Sequence, residues 1–147
     1  MNVQSQGRTR ARPAPASVRV ERARAFLDEH VTERVSLETL AEVAGVSKYH
    51  FIRLFNRVIG ESPHAYQVRR RIDLARALLT QGLAASYVAQ ETGFSDHSHL
   101  IRTFRRFTGT TPTRFASGFA SAFTPEPVEV RAASLVFRAI TPSPRGA

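Results

Sequence analysis

Asp96, His97 and Ser98 set a carboxylate, an imidazole and a hydroxyl in consecutive positions, the residue types of a nucleophilic triad. Neighbours on a helix point in different directions, so the three cannot converge on one reacting atom. The same geometry defeats His97 and His99 as a metal pair, and His30, His50 and His64 lack a supporting cluster. The 147 residues include no cysteine, which removes thiolate metal sites, disulfides and a thiol redox sensor. No glycine-rich phosphate loop is present, and nothing in the chain calls for a cofactor or an enzymatic reaction. The spacing that does gather side chains is i, i+3, i+4, i+7. It places Tyr49, Ile52, Arg53 and Asn56 on one helix face, and His97, Ser98, Ile101 and Arg102 on another, with Arg105 a turn further on. A solvated face has no use for Tyr49, Ile52 and Ile101. A face that reads a DNA groove does, because apolar groups meet thymine methyls while arginine reads guanine or clamps phosphate.

The elements that carry these faces are written twice. Ala41, Gly45 and Ser47 recur as Ala89, Gly93 and Ser95, and Arg53, Phe55, Gly60, Pro63 and Tyr66 recur as Arg102, Phe104, Gly109, Pro112 and Phe115. In the first copy Leu37, Leu40, Ala41 and Ala44 form the apolar stripe of a short helix, and Gly45 turns the chain. Val46 fills the turn, Ser47 caps, and Phe51, Leu54, Phe55 and Val58 face the core from a second helix. In the second copy Val88 and Ala89 face inward and Gly93 turns. Phe94 fills, Ser95 caps, and Leu100, Phe104 and Phe107 form the stripe. Each copy is a helix-turn-helix, the motif that lays its second helix in the major groove. Between the copies Ser62 caps and Pro63 starts a helix that Gly82 ends, with Ile72, Ala75, Leu78 and Leu79 on its buried side. Roughly 17 residues at about 1.5 Å each span about 26 Å. With the bodies of the subdomains added, the two reading helices can lie about 34 Å apart, one DNA turn.

The segments SLETLAEVAGVSKYHFIRLF, GESPHAYQVRRRIDLARALL and VAQETGFSDHSHLIRTFRRFTGTTPTRF together resemble the DNA-binding domain of the AraC/XylS family of bacterial transcription regulators. The resemblance covers a little over half of the chain, from about Ser36 to Phe115. It implies an all-α, homeodomain-like fold of seven helices: two three-helix helix-turn-helix subdomains (18–62 and 82–120) joined by a long linker helix (63–81). It also implies binding as a monomer to an asymmetric double-stranded promoter site, activation through RNA polymerase, and a place in the cytoplasm with the nucleoid. The DNA-binding set it implies is Lys48, Tyr49, Ile52, Arg53, Asn56 and Arg57 on the first reading helix, with His97, Ser98, Ile101, Arg102, Arg105 and Arg106 on the second. Two departures from the family pattern stand out. Ala84 and Ala85 replace a capping residue and a large aliphatic, so the second subdomain is expected to be the softer half. His97 stands where glutamine is common, so the preference of that half-site can differ and shift near neutral pH.

A net charge of +9 and a sequence pI of about 11.4 suit a polyanionic partner. Asp28, Glu29, Glu33, Glu38 and Glu42 collect on the first two helices, while Lys48, the only lysine, and Arg53, Arg57, Arg69, Arg70, Arg71, Arg102, Arg105 and Arg106 fall on or near the expected DNA side. Of Arg69 to Arg71 at most two can reach one phosphate backbone, and a solvated helix face is the plain alternative. Residues 1–17 read as a disordered basic arm. Ala23, Phe26, Leu27 and Val31 mark a first helix over 18–31 that packs under the first reading helix. Phe119 and Phe123 prolong the last helix, and 121–147 reads as a flexible extension whose alternating segment, Val128 to Ile140, has no strand to pair with. Within 1–17 no apolar run is long enough for a signal peptide or a membrane span. The family resemblance points to a small stand-alone regulator. The alternatives are the DNA-binding fragment of a ligand-gated regulator, or a helical module that docks a protein on the Tyr49 and Ile52 face.

Overall fold

A computed structural model describes residues 12–120, and within them seven helices follow one another with no strand. They are α1 (Ala16–Glu29), α2 (Leu37–Ala44), α3 (Lys48–Ile59), α4 (Pro63–Thr80), α5 (Ala85–Glu91), α6 (His97–Thr108) and α7 (Pro112–Ala120). The helix expected over 18–31 begins slightly earlier and stops before Val31. Residues 1–11 of the expected arm lie outside the described residues, as do Phe123 and the rest of 121–147.

Local chemistry accounts for most helix ends. The Ser36 hydroxyl accepts the Thr39 N–H at 3.0 Å and opens α2. Gly45, at φ 68°, closes it, with Gly45 N–H donating to the Glu42 carbonyl and Val46 N–H to that of Ala41. Ser62 caps α4 by accepting the Ala65 N–H at 3.1 Å, and Pro63 takes the first helical position. Two expected caps are corrected. Ser47 precedes α3 in an extended conformation but makes no side-chain cap bond. Asp96, not Ser95, caps α6, its carboxylate accepting the His99 N–H at 2.7 Å. Ala84 leaves α5 without a side-chain cap, as its methyl group dictates.

Two apolar cores form. The first gathers Val20, Ala23 and Leu27 of α1, Leu40, Ala41 and Ala44 of α2, Phe51, Leu54 and Phe55 of α3, and Tyr66 of α4, so α1 does pack under α3. The second gathers Ile72, Leu74, Ala75, Leu78 and Leu79 of α4 with Val88, Ala89, Phe94, Leu100 and Phe104, and Phe115 closes edge-on over Phe104. The linker helix therefore contributes to both. Three apolar residues depart from expectation. Val58 is 42% exposed because it borders an open groove beside Val18 and Ala25 instead of meeting the core. Phe107 is 39% exposed, with the Arg106 guanidinium over its ring. Val31 joins the second core and not the first, because the chain leaves α1 just before it.

Candidate nucleic-acid interface

α3 and α6 hold equivalent places. Each follows a glycine turn, buries its apolar stripe and leaves the opposite face outward. On α3 Tyr49 is 75% exposed, Arg53, Asn56 and Arg57 are exposed, and Ile52 is half-buried. On α6 His97, Ser98, Arg102, Arg105 and Arg106 are exposed and Ile101 is half-buried. Ile52 and Ile101 are thus only partly covered by the domain and leave apolar surface among the polar residues of each face.

Charge on these faces is arranged in two ways. Lys48, at the start of α3, donates to Glu38 of α2 at 2.7 Å and lies over the Tyr49 ring. Each partner stabilises the other's charged form, raising the lysine pKa and lowering the glutamate's. The pair stands at the surface, where an ion pair exchanges readily for another anion. Arg53, Arg57, Arg102 and Arg105, in contrast, make no hydrogen bond or ion pair among the described residues. Asp96 stands at the start of α6, beside the second face. The His99 N–H it accepts holds its carboxyl below the ordinary aspartate range, with the Ser95 hydroxyl and the Arg102 charge adding to the effect. His99 has a positioning place that its spacing alone did not reveal: its Nδ1 lies 3.0 Å from the Ser95 hydroxyl and its ring stands edge-on to Phe94.

Within the run Arg69 to Arg71, Arg69 keeps a surface ion pair, whereas Arg70 and Arg71 turn to partners inside the fold. Arg69 donates to Glu61 at 2.9 Å, and Arg70 donates to Asp28 at 2.9 Å, the same carboxylate oxygen that accepts the Tyr66 hydroxyl. Arg71 donates to three backbone carbonyls, those of Val31, Glu33 and Gly93, at 2.8, 2.8 and 2.9 Å. Its half-buried guanidinium has a pKa lowered by desolvation, with Arg34 nearby adding to it, yet an arginine stays charged at any physiological pH. Arg70 and Arg71 are therefore taken up by the fold itself, which neither a phosphate contact nor a solvated face describes. Asp73 lies within helical reach of both Arg69 and Arg70, but Asp28 of α1 and the three carbonyls held by Arg71 are far away in sequence, and no local spacing announces them.

Among the described residues no His, Asp or Glu group could hold a metal ion, and no helix is long and apolar enough to cross a membrane. A helix-turn-helix domain family matches residues 40–118, more than half of the chain. An uncharacterized HTH-type transcriptional regulator of Bacillus subtilis, YbfI, is 45% identical over 51% of this chain and 27% of its own length. The HTH-type transcriptional regulator RipA of Corynebacterium glutamicum is 35% identical over 72% of this chain and 32% of its own. The chain thus spans between about a quarter and a third of the length of these curated relatives. The DNA-binding domain of the global transcriptional factor AdpA, solved in complex with a target DNA, superposes with a TM-score of 0.65 at 29% identity, covering 69% of this chain and 93% of that one. With a homeodomain-like pair of helix-turn-helix motifs and these relatives, the chain belongs to the AraC/XylS family of DNA-binding transcription regulators.

Proposed function

We propose that this protein binds an asymmetric promoter site as a monomer, lays α3 and α6 into successive major-groove segments, and activates transcription by contacting RNA polymerase. The units are a first reader over 18–62, the linker helix over 63–81 and a second reader over 82–120, and the protein works at the nucleoid in the cytoplasm without catalysing a reaction. Tyr49, Ile52, Arg53 and Asn56 read one half-site; His97, Ser98, Ile101 and Arg102 read the other. Lys48, Arg57, Arg105 and Arg106 hold the flanking phosphates.

One observation carries the reading. Arg53 and Arg102 of the outward faces make no hydrogen bond or ion pair among the described residues, while Arg69, Arg70 and Arg71 of α4 are held by partners within the fold. A free, exposed guanidinium at the same place of both repeats is a pair of hydrogen-bond forks available to base edges. Arg53→Ala and Arg102→Ala are each expected to cost about 1–3 kcal/mol in binding and to relax specificity in one half-site only. Duplex selection followed by titration checks this. Equal loss on every sequence reassigns the residue to phosphate contact. Affinity should also fall about 10³- to 10⁵-fold between about 50 and 200 mM salt, as for six to ten phosphate contacts, and a flat salt dependence sinks the proposal.

A further inference from the structure

The loop after α1 belongs by chain order to the first half, yet it is built into the second. Val31 is buried in the second core. Gln67 of α4 donates to the Glu33 carbonyl at 2.8 Å. Arg71, one helical turn further on α4, joins the Val31 and Glu33 carbonyls of this loop to the Gly93 carbonyl of the α5–α6 turn. At that same turn the two backbones touch: a Cβ on Gly93 would lie 2.2 Å from the Thr32 carbonyl oxygen, whereas one on Gly45, the equivalent residue of the first repeat, meets nothing within 4 Å. One guanidinium thus satisfies carbonyls from both halves across a contact that only glycine permits. Three such bonds from a planar fork fix orientation as well as distance.

We infer that Arg71, closed against the Thr32–Gly93 contact, is a positioning residue that locks the two reading helices in one relative orientation and so sets which half-site spacing the protein accepts. The inference rests on the proposed two-site reading of DNA. Adding or removing one base pair moves a half-site by about 3.4 Å and turns it by roughly 34°. A rigid pair of readers cannot follow that step, and a loosened pair can. Rigid linkage also multiplies the affinities of two weak readers by about 10² to 10⁴, a gain that loosening erodes.

The chain contains no cysteine, so spin labels at Tyr49→Cys and Ser98→Cys report the separation of α3 and α6 without DNA. In that background the native clamp should yield one narrow distance, and Arg71→Gln, Arg71→Lys and Gly93→Ala should broaden or shift it. Gly45→Ala, which carries similar backbone strain with no interface, should leave it narrow. The unlabelled chain is then used to select its preferred duplex from a randomised library, and binding is compared on that duplex and on versions with one base pair inserted or deleted between the half-sites. The native chain should prefer its own spacing about tenfold or more, as for a mismatch in a specific site. Arg71→Gln should lower affinity for that duplex about tenfold and shrink the spacing preference to about threefold or less. Unchanged label distances in all three clamp variants overturn the inference, whatever DNA does. So does an equal loss on every spacing with the preference intact, which makes Arg71 a general stabiliser. Failure of the native chain to select any duplex sinks the DNA reading itself, while the label distances still decide whether the clamp orients the halves.

Discussion

Gly45 and Gly93 occupy the same position of the same motif, at φ 68° and 75°, and yet they do different work. Gly45 turns the chain in open space; Gly93 turns it against the backbone of Thr32. The contrast extends to the surrounding halves. The first has a side-chain cap on α2, an extra helix beneath α3, and a polar knot in which Asp28 accepts from Tyr66 and Arg70. The second has an uncapped α5 and takes Val31 from its neighbour to complete its core. The two copies therefore share the helix-turn-helix unit but differ in support: the first rests on α1 and the linker helix, and the second also takes Val31 from the chain before α2.

Substituting the two glycines separates the turns most strongly. Gly45→Ala should cost about 1–2 kcal/mol, the strain of a left-handed alanine. Gly93→Ala should cost about 1–3 kcal/mol more, because the backbone must also move away from the new methyl group. Urea midpoints of the two variants measure the difference, and equal midpoints would erase the distinction between the turns.

Alkaline pH should act on the other half. Burial, reinforced by the Asp28 carboxylate, pushes the Tyr66 hydroxyl from 10.0 up to about 12. A group whose pKa is raised by folding lends its stability in full below its unfolded value, here pH 10.0, and loses it as pH rises through about 12. Unfolding midpoints should therefore fall across that window, and Tyr66→Phe should flatten the fall. An undiminished slope in the variant would locate the alkaline weakness elsewhere.

Smaller effects refine the cap argument. Ser36→Ala should cost about 1 kcal/mol, and Ala84→Ser should return a gain of similar size or less, both read from thermal melts. Hydrogen exchange should find residues 83–90 less protected than 37–44, and Ala84→Ser should narrow the gap. Equal protection in the native chain would show that packing of Leu83 and Ala85 on the second core outweighs the missing cap.

Much of this was legible before any coordinates. The helices follow from repeated glycine turns and apolar stripes, and the outward positions of Tyr49, Arg53, His97 and Arg102 follow from helical spacing once the inward stripes are known. What escaped the sequence was contact between distant segments. Arg69, Arg70 and Arg71 look alike in a row, and only the carbonyls and carboxylates that fold onto them separate their roles. Val31 continues the apolar period of α1, but the helix ends before it and the side chain crosses to the second core. Ser47 and Ser95 are both plausible caps by residue type. A neighbouring aspartate, which offers a charged acceptor, took the role in one copy, and neither serine caps its helix with its side chain.

The docking of Lys48 on Glu38 has a chemical consequence in a chain whose other cations are all arginines or histidines. Acylation of amines can reach this surface through one side chain alone. Such a modification would erase a positive charge and, in the same stroke, unmask the Glu38 carboxylate; on the proposed DNA-binding reading its repulsive effect would exceed that of simple neutralisation.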